Sequence, residues 1–257
     1  MTVIYPSPIF GPVHSRRLGI SLGINLLPAD GKVCTFDCVY CECGFNADFR
    51  PRLPMPTRAE VVQALEAKLQ AMQLEGVRPD VLTFAGNGEP TLHPDFAQII
   101  EDTRALRDRY CPEARLSVLS NATQIVRPEV RQALLRVDNP ILKLDTVQPD
   151  YIRRVDRPTG RYDVQAIIQA MCAMQGQCIV QTMFLSGTAE GADADNTSDT
   201  YVKPWLEALQ RIRPRQVMIY TIDRETPDHG LRKAAPDVLD AIGERVRQLG
   251  LDCSVSY

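Results

Sequence analysis

The sequence lacks the features that mark a membrane protein, a secreted protein or a disordered chain. None of its apolar runs approaches the roughly 18 residues that a membrane-spanning helix needs. Residues 1–10 do not combine a basic start with an apolar stretch, so we expect no secretion signal. An apolar fraction of 44% and a charged fraction of 24% exclude disorder as a description of the whole chain. We therefore expect a globular, cytoplasmic protein without a membrane partner.

The sequence also lacks an excess of positive charge. Its 29 Lys and Arg residues are outnumbered by 32 Asp and Glu residues, which gives a net charge of −3. Sequence-independent binding to nucleic-acid phosphates requires a basic surface. A nucleic-acid partner is therefore possible but is not favoured by the net charge. Histidine is scarce as well, and His14, His93 and His229 are isolated from one another. We expect His93 to pack at the start of a helix rather than to bind a ligand.

Cysteine, in contrast, is plentiful, with 8 residues in a chain of 257. Disulfides are rare in a reducing compartment, so metal or redox chemistry is the usual explanation for such a number. The first four cysteines fall together between residues 34 and 43, in a stretch that is rich in Gly and Pro. We expect the others to be buried free thiols, namely Cys111, Cys172, Cys178 and Cys253.

Hydrophobic periodicity predicts strands that alternate with helices. The predicted strands cover residues 20–27, 80–85, 115–119, 141–144, 179–185 and 216–222, with a closing strand at 252–257. The first predicted helix starts at Thr57, which forms a capping box with Glu60. Repeated strand–helix units imply a parallel sheet with crossover helices. We therefore expect an α/β fold, a partial (β/α)6 TIM-like barrel with an N-terminal extension, although a doubly wound sheet fits the same pattern.

The organisation along the chain predicts a single domain over residues 1–257. Residues 1–30 form its N-terminal extension, residues 34–56 a cysteine-bearing cluster loop, and residues 57–257 the strand–helix repeats. Residues 188–200 contain acidic and small side chains and no basic residue. We expect this segment to be a mobile loop between a strand and a helix.

The cluster loop carries the most informative motif, Cys34-x3-Cys38-x2-Cys41. Three thiolates on one loop can converge on a metal centre, and iron–sulfur cubanes are normally held by four cysteines. Three ligands leave one iron open to a substrate or cofactor, as in an open zinc site. The same spacing also allows a zinc site that adds Cys43 as its fourth ligand, although zinc sites more often use two separated cysteine pairs.

The motif, with the aromatic Tyr40 just before its last cysteine, resembles the signature of the radical S-adenosylmethionine (radical SAM) enzymes. Residues 86–90, Gly-Asn-Gly-Glu-Pro, are similar to the Gly-Gly-Glu-Pro segment of that superfamily. Residues 12–28 and 219–224 resemble one of its branches, which includes small iron–sulfur oxidoreductases and is related to the wyosine-forming tRNA enzymes.

This resemblance implies that Cys34, Cys38 and Cys41 hold a [4Fe-4S] cluster. The amino and carboxylate groups of S-adenosylmethionine (SAM) would bind its open iron. An electron from the reduced cluster would then cleave SAM to methionine and a 5′-deoxyadenosyl radical, which abstracts a substrate hydrogen. The resemblance also implies a partial (β/α)6 barrel and a reductant such as flavodoxin or ferredoxin.

The other candidate site residues follow the predicted strands, where β/α barrels place their chemistry. Glu89 offers a carboxylate to the amino group of SAM, and Lys143 can pair with the SAM carboxylate or with Asp145. The predicted cofactor contacts are Tyr40, Asn87, Gly88, Glu89, Pro90, Ser120, Asn121, Lys143 and Asp145. Three arginines are expected to hold an anionic group of the substrate, namely Arg16, Arg17 and Arg224.

The predicted function is therefore radical chemistry on an unidentified substrate, either a small metabolite or a nucleoside. Two alternatives are an activase that installs a glycyl radical on a partner protein and an enzyme that modifies a tRNA base. A more remote alternative is a zinc or iron–sulfur scaffold without catalysis. The role of Cys43 stays open on sequence grounds.

Overall fold

The strands of the protein form one large, mostly parallel sheet and one small antiparallel sheet. The computed structural model describes residues 2–15 and 19–257. Its strands are β1 (Ile9–Ser15), β2 (Gly19–Ile24), β3 (Val81–Phe84), β4 (Arg115–Ser120), β5 (Asn139–Lys143), β6 (Ile179–Met183), β7 (Leu185–Ala189), β8 (Ala192–Asp193), β9 (Gln216–Tyr220), β10 (Leu231–Lys233) and β11 (Cys253–Ser256).

The large sheet has the strand order β1-β2-β3-β4-β5-β6-β9-β11. Only β1 runs antiparallel to its neighbour, and the remaining pairs are parallel. Within residues 2–15 and 19–257, β1 and β11 lie at opposite edges and do not pair with each other. The predicted α/β fold, a partial TIM-like barrel that does not close, is therefore confirmed.

Helices follow the parallel strands and begin at signals visible in the sequence. They are α1 (Arg58–Leu74), α2 (Phe96–Tyr110), α3 (Pro128–Leu134), α4 (Pro149–Tyr151), α5 (Val164–Cys172), α6 (Asp199–Ile212) and α7 (Pro236–Gln248). Thr57 and Glu60 form the predicted capping box at the start of α1. Among the described residues, no helix is both long and apolar enough to cross a membrane.

The main hydrophobic core lies between the sheet and the helices. Phe84 of β3 and Trp205 of α6 are among its largest fully buried side chains. A separate small cluster of Ile141, Ile179 and Met218 comes from β5, β6 and β9. Because parallel strands alternate their side chains between two faces, one face packs on helices while the other lines the interior of the barrel. The packing of the helices on the sheet holds the ends of the strands in place, and the residues of the candidate site follow those ends.

Strand β1 was not among the predicted strands, and residues 9–15 contain Gly11 and Pro12. Proline cannot donate to a strand ladder and is therefore confined largely to edge strands and bulges. Both conditions hold here, since β1 is an edge strand and its register shifts between Phe10 and Val13.

The acidic segment of residues 188–200 is not simply a mobile loop, which corrects the prediction. Its first residues belong to β7, which pairs with β8 and with β10 in a three-stranded sheet. The fully buried Asn196 then accepts a hydrogen bond from the Leu185 amide at 3.0 Å and donates to the Met183 carbonyl at 2.9 Å. These contacts fasten the segment to the end of β6.

Candidate active site

The cluster loop follows β2 and is fastened to two other parts of the chain. Val33, directly before the loop, pairs with Gly88 in the segment that follows β3. Further along the loop, the Val39 amide donates to the Val155 carbonyl at 3.0 Å. Within the loop, the Cys41 amide donates to the Cys38 carbonyl at 3.1 Å. The loop conformation therefore depends on contacts that no local sequence pattern contains.

The three cysteines of the motif are close enough to perturb one another electrostatically. Burial is the main cause that raises the pKa of Cys34, to about 12, and that of Cys38. The pKa of Cys41 falls to about 6, chiefly because Cys43 hydrogen bonds to its sulfur and Lys32 lies nearby. Among the described residues, no group of three or more His, Cys, Asp or Glu side chains is spaced to hold a single metal ion.

Cys43 lies beside Cys41 and is buried, with 3% of its surface exposed. Its Sγ is 3.4 Å from the Gly86 carbonyl oxygen. A hydrogen bond with Cys41, followed by burial, raises the pKa of the Cys43 thiol. The thiol therefore supports Cys41 and packs against the segment that follows β3.

Gly88 has a conformation that other residues rarely adopt. Its φ is +131°, and a Cβ at this position would lie 1.9 Å from the Val33 carbonyl oxygen. Only glycine therefore lets the segment after β3 pair with the cluster loop. Gly86 is similar, since its φ is +128° and a Cβ there would lie 2.7 Å from the Asn25 side chain.

Glu89 connects the ends of β3 and β4. It is 1% exposed, and its Oε1 accepts a hydrogen bond from the Ser120 hydroxyl at 2.8 Å. Its Oε2 accepts from the Asn121 amide at 2.6 Å. Burial raises the pKa of Glu89, and its hydrogen bonds to Thr91, Asn121 and Ser120 oppose that rise. Three residues that were predicted to bind the cofactor, Glu89, Ser120 and Asn121, thus contact one another. Pro90, also predicted to bind it, begins the short 3-10 turn Pro90–Leu92 beside them.

Asn87, also predicted to contact the cofactor, joins the N-terminal segment to the site. Its Oδ1 accepts from the Tyr5 amide at 2.7 Å. Its Nδ2 donates to the carbonyls of Tyr5 and Pro28 at 2.9 and 2.8 Å. The side-chain amide is fully buried, so its donors and its acceptor are all engaged within the protein.

Lys143 lies between two buried carboxylates at the end of β5. Its Nζ is 2.7 Å from Asp145 Oδ2 and 2.8 Å from Asp156 Oδ1. Burial alone would lower the pKa of Lys143, but the two carboxylates raise it well above its ordinary value. Tyr40 covers this group, since its hydroxyl donates to Asp145 and the Lys143 ammonium lies 4.3 Å from its ring centroid. The internal pairing of Lys143 with Asp145 is the arrangement that the structure shows.

Arg224, predicted to bind substrate, is paired within the protein. Its Nη1 donates to Glu42 Oε2 at 2.6 Å and to the Tyr5 hydroxyl at 2.9 Å. This contact joins the segment after β9 to the cluster loop and to the N-terminal segment. The other predicted substrate residues, Arg16 and Arg17, lie outside the described residues.

A cavity of about 640 Å³ adjoins these residues and extends into the barrel. Its wall includes Tyr40, Cys41 and Gly88, and Arg224 lies at the same cavity. The interior wall comes from successive strands and combines hydroxyl, amide and apolar side chains: Ser21, Thr83, Leu119, Ile141, Gln181 and Met218. Because Cys41 is part of the wall, a molecule in the cavity lies next to the cysteine motif.

Two residues of this site were missed by the sequence reasoning. Lys32 is 2% exposed, and its Nζ donates to the Gly44 carbonyl at 2.6 Å and to Asp37 at 3.3 Å. Asp156 lies at the end of a π-helical turn, Ile152–Asp156, far from any motif. An isolated lysine and an isolated aspartate are normally surface residues, so their sequence contexts carried no signal.

The remaining cysteines take no part in this site. All eight cysteines are free thiols. Cys111, Cys178 and Cys253 are buried, whereas Cys172 is half-buried at the end of α5.

A family model described as the Radical SAM superfamily matches residues 30–189. The match covers more than half of the chain, from just before the cluster loop to the end of β7. The chain belongs to the radical SAM superfamily. The superfamily predicted from the cysteine motif and from residues 86–90 is thus confirmed, and membership implies a [4Fe-4S] cluster and SAM as cofactors.

Relatives of this radical SAM protein include a UPF0026 protein of Synechocystis, which is 31% identical over 235 residues, 88% of this chain and 79% of that protein. A UPF0026 protein of Helicobacter pylori is 31% identical over 223 residues, 84% of this chain and 66% of that protein. The chain therefore spans just under two thirds of the length of the Helicobacter relative. A solved radical SAM methyltransferase from Sphaerobacter thermophilus superimposes with a TM-score of 0.67 over 92% of this chain and 66% of that one. At 15% identity, this likeness shows the fold alone.

The residues of the cluster loop suit an iron–sulfur cluster in their chemistry. Cys34, Cys38 and Cys41 interact electrostatically with one another and with the buried ammonium of Lys32. Nitrogen donors adjoin the sulfurs, as is usual around iron–sulfur clusters. A cubane binds each thiolate at a different iron, so its ligands need not close around one point. Such a thiol set would supply ligands for three irons of a cubane and would leave the fourth without a protein ligand.

Proposed function

We propose that this radical SAM protein binds a [4Fe-4S] cluster through Cys34, Cys38 and Cys41 and cleaves SAM reductively to start radical chemistry. The observation that carries the proposal is the position of Cys41. It belongs to the three-cysteine motif and also to the wall of the 640 Å³ cavity. When bound, the cluster and SAM supply a 5′-deoxyadenosyl radical that removes a hydrogen atom from the substrate.

The protein's own residues position the ligand and exclude water. Gly86 and Gly88 belong to the cavity wall, and their lack of a Cβ lets this segment pack closely against Asn25 and Val33. Tyr40 forms the adjoining wall, with its hydroxyl fixed by Asp145. We infer that Glu89, Ser120, Asn121 and Lys143 hold these walls in place through the contacts described above. Direct contacts of these four residues with SAM stay a prediction.

The cavity supports a small molecule or a nucleoside as the substrate. Its volume of about 640 Å³ lies within the usual range of small-molecule sites. The interior offers hydroxyl and amide groups from Ser21, Thr83 and Gln181 beside apolar Leu119 and Ile141. A molecule with an apolar body and a few polar groups suits such a lining. We further propose a cytoplasmic location and a flavodoxin-like or ferredoxin-like reductant.

Anaerobic reconstitution tests the proposal. The protein is treated with iron and sulfide and is then incubated with SAM and dithionite. We expect about four irons per chain, together with 5′-deoxyadenosine and methionine as products. Cys38→Ala is expected to lose both cluster and products. Cys172→Ala, which removes a half-buried thiol at the end of α5, is the matched control and should retain both.

Two results would contradict the proposal. One is a full cluster and undiminished deoxyadenosine production by Cys38→Ala. The other is the recovery of zinc without sulfide from anaerobically purified protein, which would favour the scaffold alternative. Deuterium transfer from candidate substrates into deoxyadenosine then identifies the hydrogen that is abstracted.

A further inference from the structure

Each cysteine of the motif has its own nitrogen donor, and the first of these is Asn121. Its Nδ2 lies 3.5 Å from Cys34 Sγ and 2.8 Å from the Thr35 hydroxyl oxygen. Its Oδ1 accepts from both the amide and the hydroxyl of Thr123, at 3.0 and 2.8 Å. Two donors on Oδ1 fix the orientation of the amide. The NH2 group must therefore face the sulfur.

The second donor is Lys143, whose Nζ lies 3.6 Å from Cys38 Sγ. An ammonium has three hydrogens to donate. Asp145 and Asp156 accept two of them, at 2.7 and 2.8 Å, and so fix the position of the ammonium. The third hydrogen is left for the sulfur.

The third donor is Lys32, which repeats this arrangement at Cys41. The Gly44 carbonyl and Asp37 accept from its ammonium at 2.6 and 3.3 Å. The remaining hydrogen of the ammonium is available to Cys41, and, after the hydrogen bond from Cys43, the nearby Lys32 lowers the pKa of that thiol. Its side chain is 1% exposed, so its positive charge is held within the protein beside the thiols.

We propose that these three donors, one for each cysteine of the motif, raise the reduction potential of the bound cluster. Reduction adds negative charge to the cluster and its sulfurs, and hydrogen bonds from N–H groups stabilise that charge. The three side chains are therefore positioning residues that act through the thiolates. This inference rests on the proposed function, since it requires the cluster.

An EPR-monitored redox titration of the reconstituted protein, without SAM, tests the inference. Asn121→Leu keeps the approximate size of the side chain and removes the donor to Cys34. We expect the equilibrium constant for cluster reduction to fall about tenfold, which for one electron is a midpoint about 59 mV more negative. Gln70→Leu removes an exposed side-chain amide of α1 that donates to the Tyr110 hydroxyl at 2.9 Å, and this control should leave the midpoint unchanged.

A second measurement uses the unchanged protein, so it does not depend on the stability of a variant. The protein is prepared with lysine labelled with 15N at Nζ, and its reduced cluster is examined by pulsed EPR. Hydrogen bonds from Lys32 and Lys143 predict a hyperfine coupling to the labelled nitrogen. Lys32→Met should remove part of that coupling.

The outcomes separate the two proposals. If the unchanged protein binds no iron–sulfur cluster, the proposed function fails. If it binds about four irons but Asn121→Leu, equally loaded, shifts the reduction equilibrium less than twofold, the inference is overturned. The absence of nitrogen coupling in the labelled, loaded protein also overturns it, even if Asn121→Leu loses its cluster.

Discussion

The buried amide of Asn87 gives the most decisive test of how the site is built. Asn87→Ala removes three hydrogen bonds, which join the amide to the Tyr5 amide, the Tyr5 carbonyl and the Pro28 carbonyl. Pro28 is buried, so its carbonyl loses this donor in a place that water does not readily reach. The N-terminal segment loses its attachment to the residues that follow β3.

The expected loss of stability follows from the number of hydrogen bonds that Asn87→Ala removes. A hydrogen bond within a protein contributes about 0.5–1.5 kcal/mol to stability, and an unsatisfied buried group costs more. Tyr5 is only half-buried, so water can replace part of what its backbone loses. We therefore expect Asn87→Ala to lower the free energy of unfolding by about 2–4 kcal/mol.

Urea unfolding of the metal-free protein measures this loss, provided that the m-value does not change. Gln124→Ala is the control, because that half-buried amide makes a single long contact of 3.5 Å with the Thr123 hydroxyl. Its expected effect is below about 0.5 kcal/mol. If the two variants unfold alike, or if the loss for Asn87→Ala appears only in the presence of SAM, the structural role given to Asn87 is refuted.

Three further predictions concern single positions. Gly88→Ala would place a Cβ 1.9 Å from the Val33 carbonyl oxygen and should lower the free energy of unfolding by at least about 2 kcal/mol. A Cβ at Gly160 would have nothing within 4 Å, so Gly160→Ala should leave thermal unfolding nearly unchanged. Thr57→Ala removes the capping box of α1 and should cost about 1 kcal/mol in chemical unfolding, with Thr57→Ser retaining most of the stability. Burial raises the pKa of Asp156 to about 7, against about 4 in an unfolded chain. The native state therefore holds a proton that the unfolded chain releases, and stability of the metal-free protein should fall as the pH rises from about 4 to 7. Asp156→Asn should remove this contribution, and an unchanged pH profile for that variant would contradict the assignment.

The regular part of the fold was predictable because its signals are local. Thr57 with Glu60 marks a helix start, and short buried strands such as β3 lie between Pro79 and Gly86. The irregular strands were not predictable in this way. Pro12 lowers the strand propensity of β1, which is tolerated only because that strand has one neighbour. The pairing of β7 with β10 joins segments about 45 residues apart, so no local pattern contains it.

The candidate site also combines features that a local sequence pattern predicts with features that depend on contacts between distant residues. The spacing of the motif cysteines is a local property, and it predicted the superfamily. The predicted residues form hydrogen bonds with residues that are distant in sequence. Asn87 and Tyr5, for example, are 82 positions apart. Lys32 was missed because its burial depends on the Gly44 carbonyl and on the folded cluster loop. Sequence reasoning thus identified the cysteine motif and named Asn121 and Lys143, but it did not predict the partners of these side chains or the presence of Lys32 and Asp156.

Cys34 and Cys38 are far apart in sequence from their nitrogen donors, so the ribosome makes them at different times. Asn121 follows Cys34 by 87 positions, and Lys143 follows Cys38 by 105. At about 5–20 residues per second, the ribosome makes the cysteines roughly 5–20 s before it makes Lys143. During that interval the nascent loop carries thiols without their nitrogen donors. The finished surroundings of the proposed cluster therefore form only after β5 has been made, which favours insertion of such a cluster after that point in synthesis.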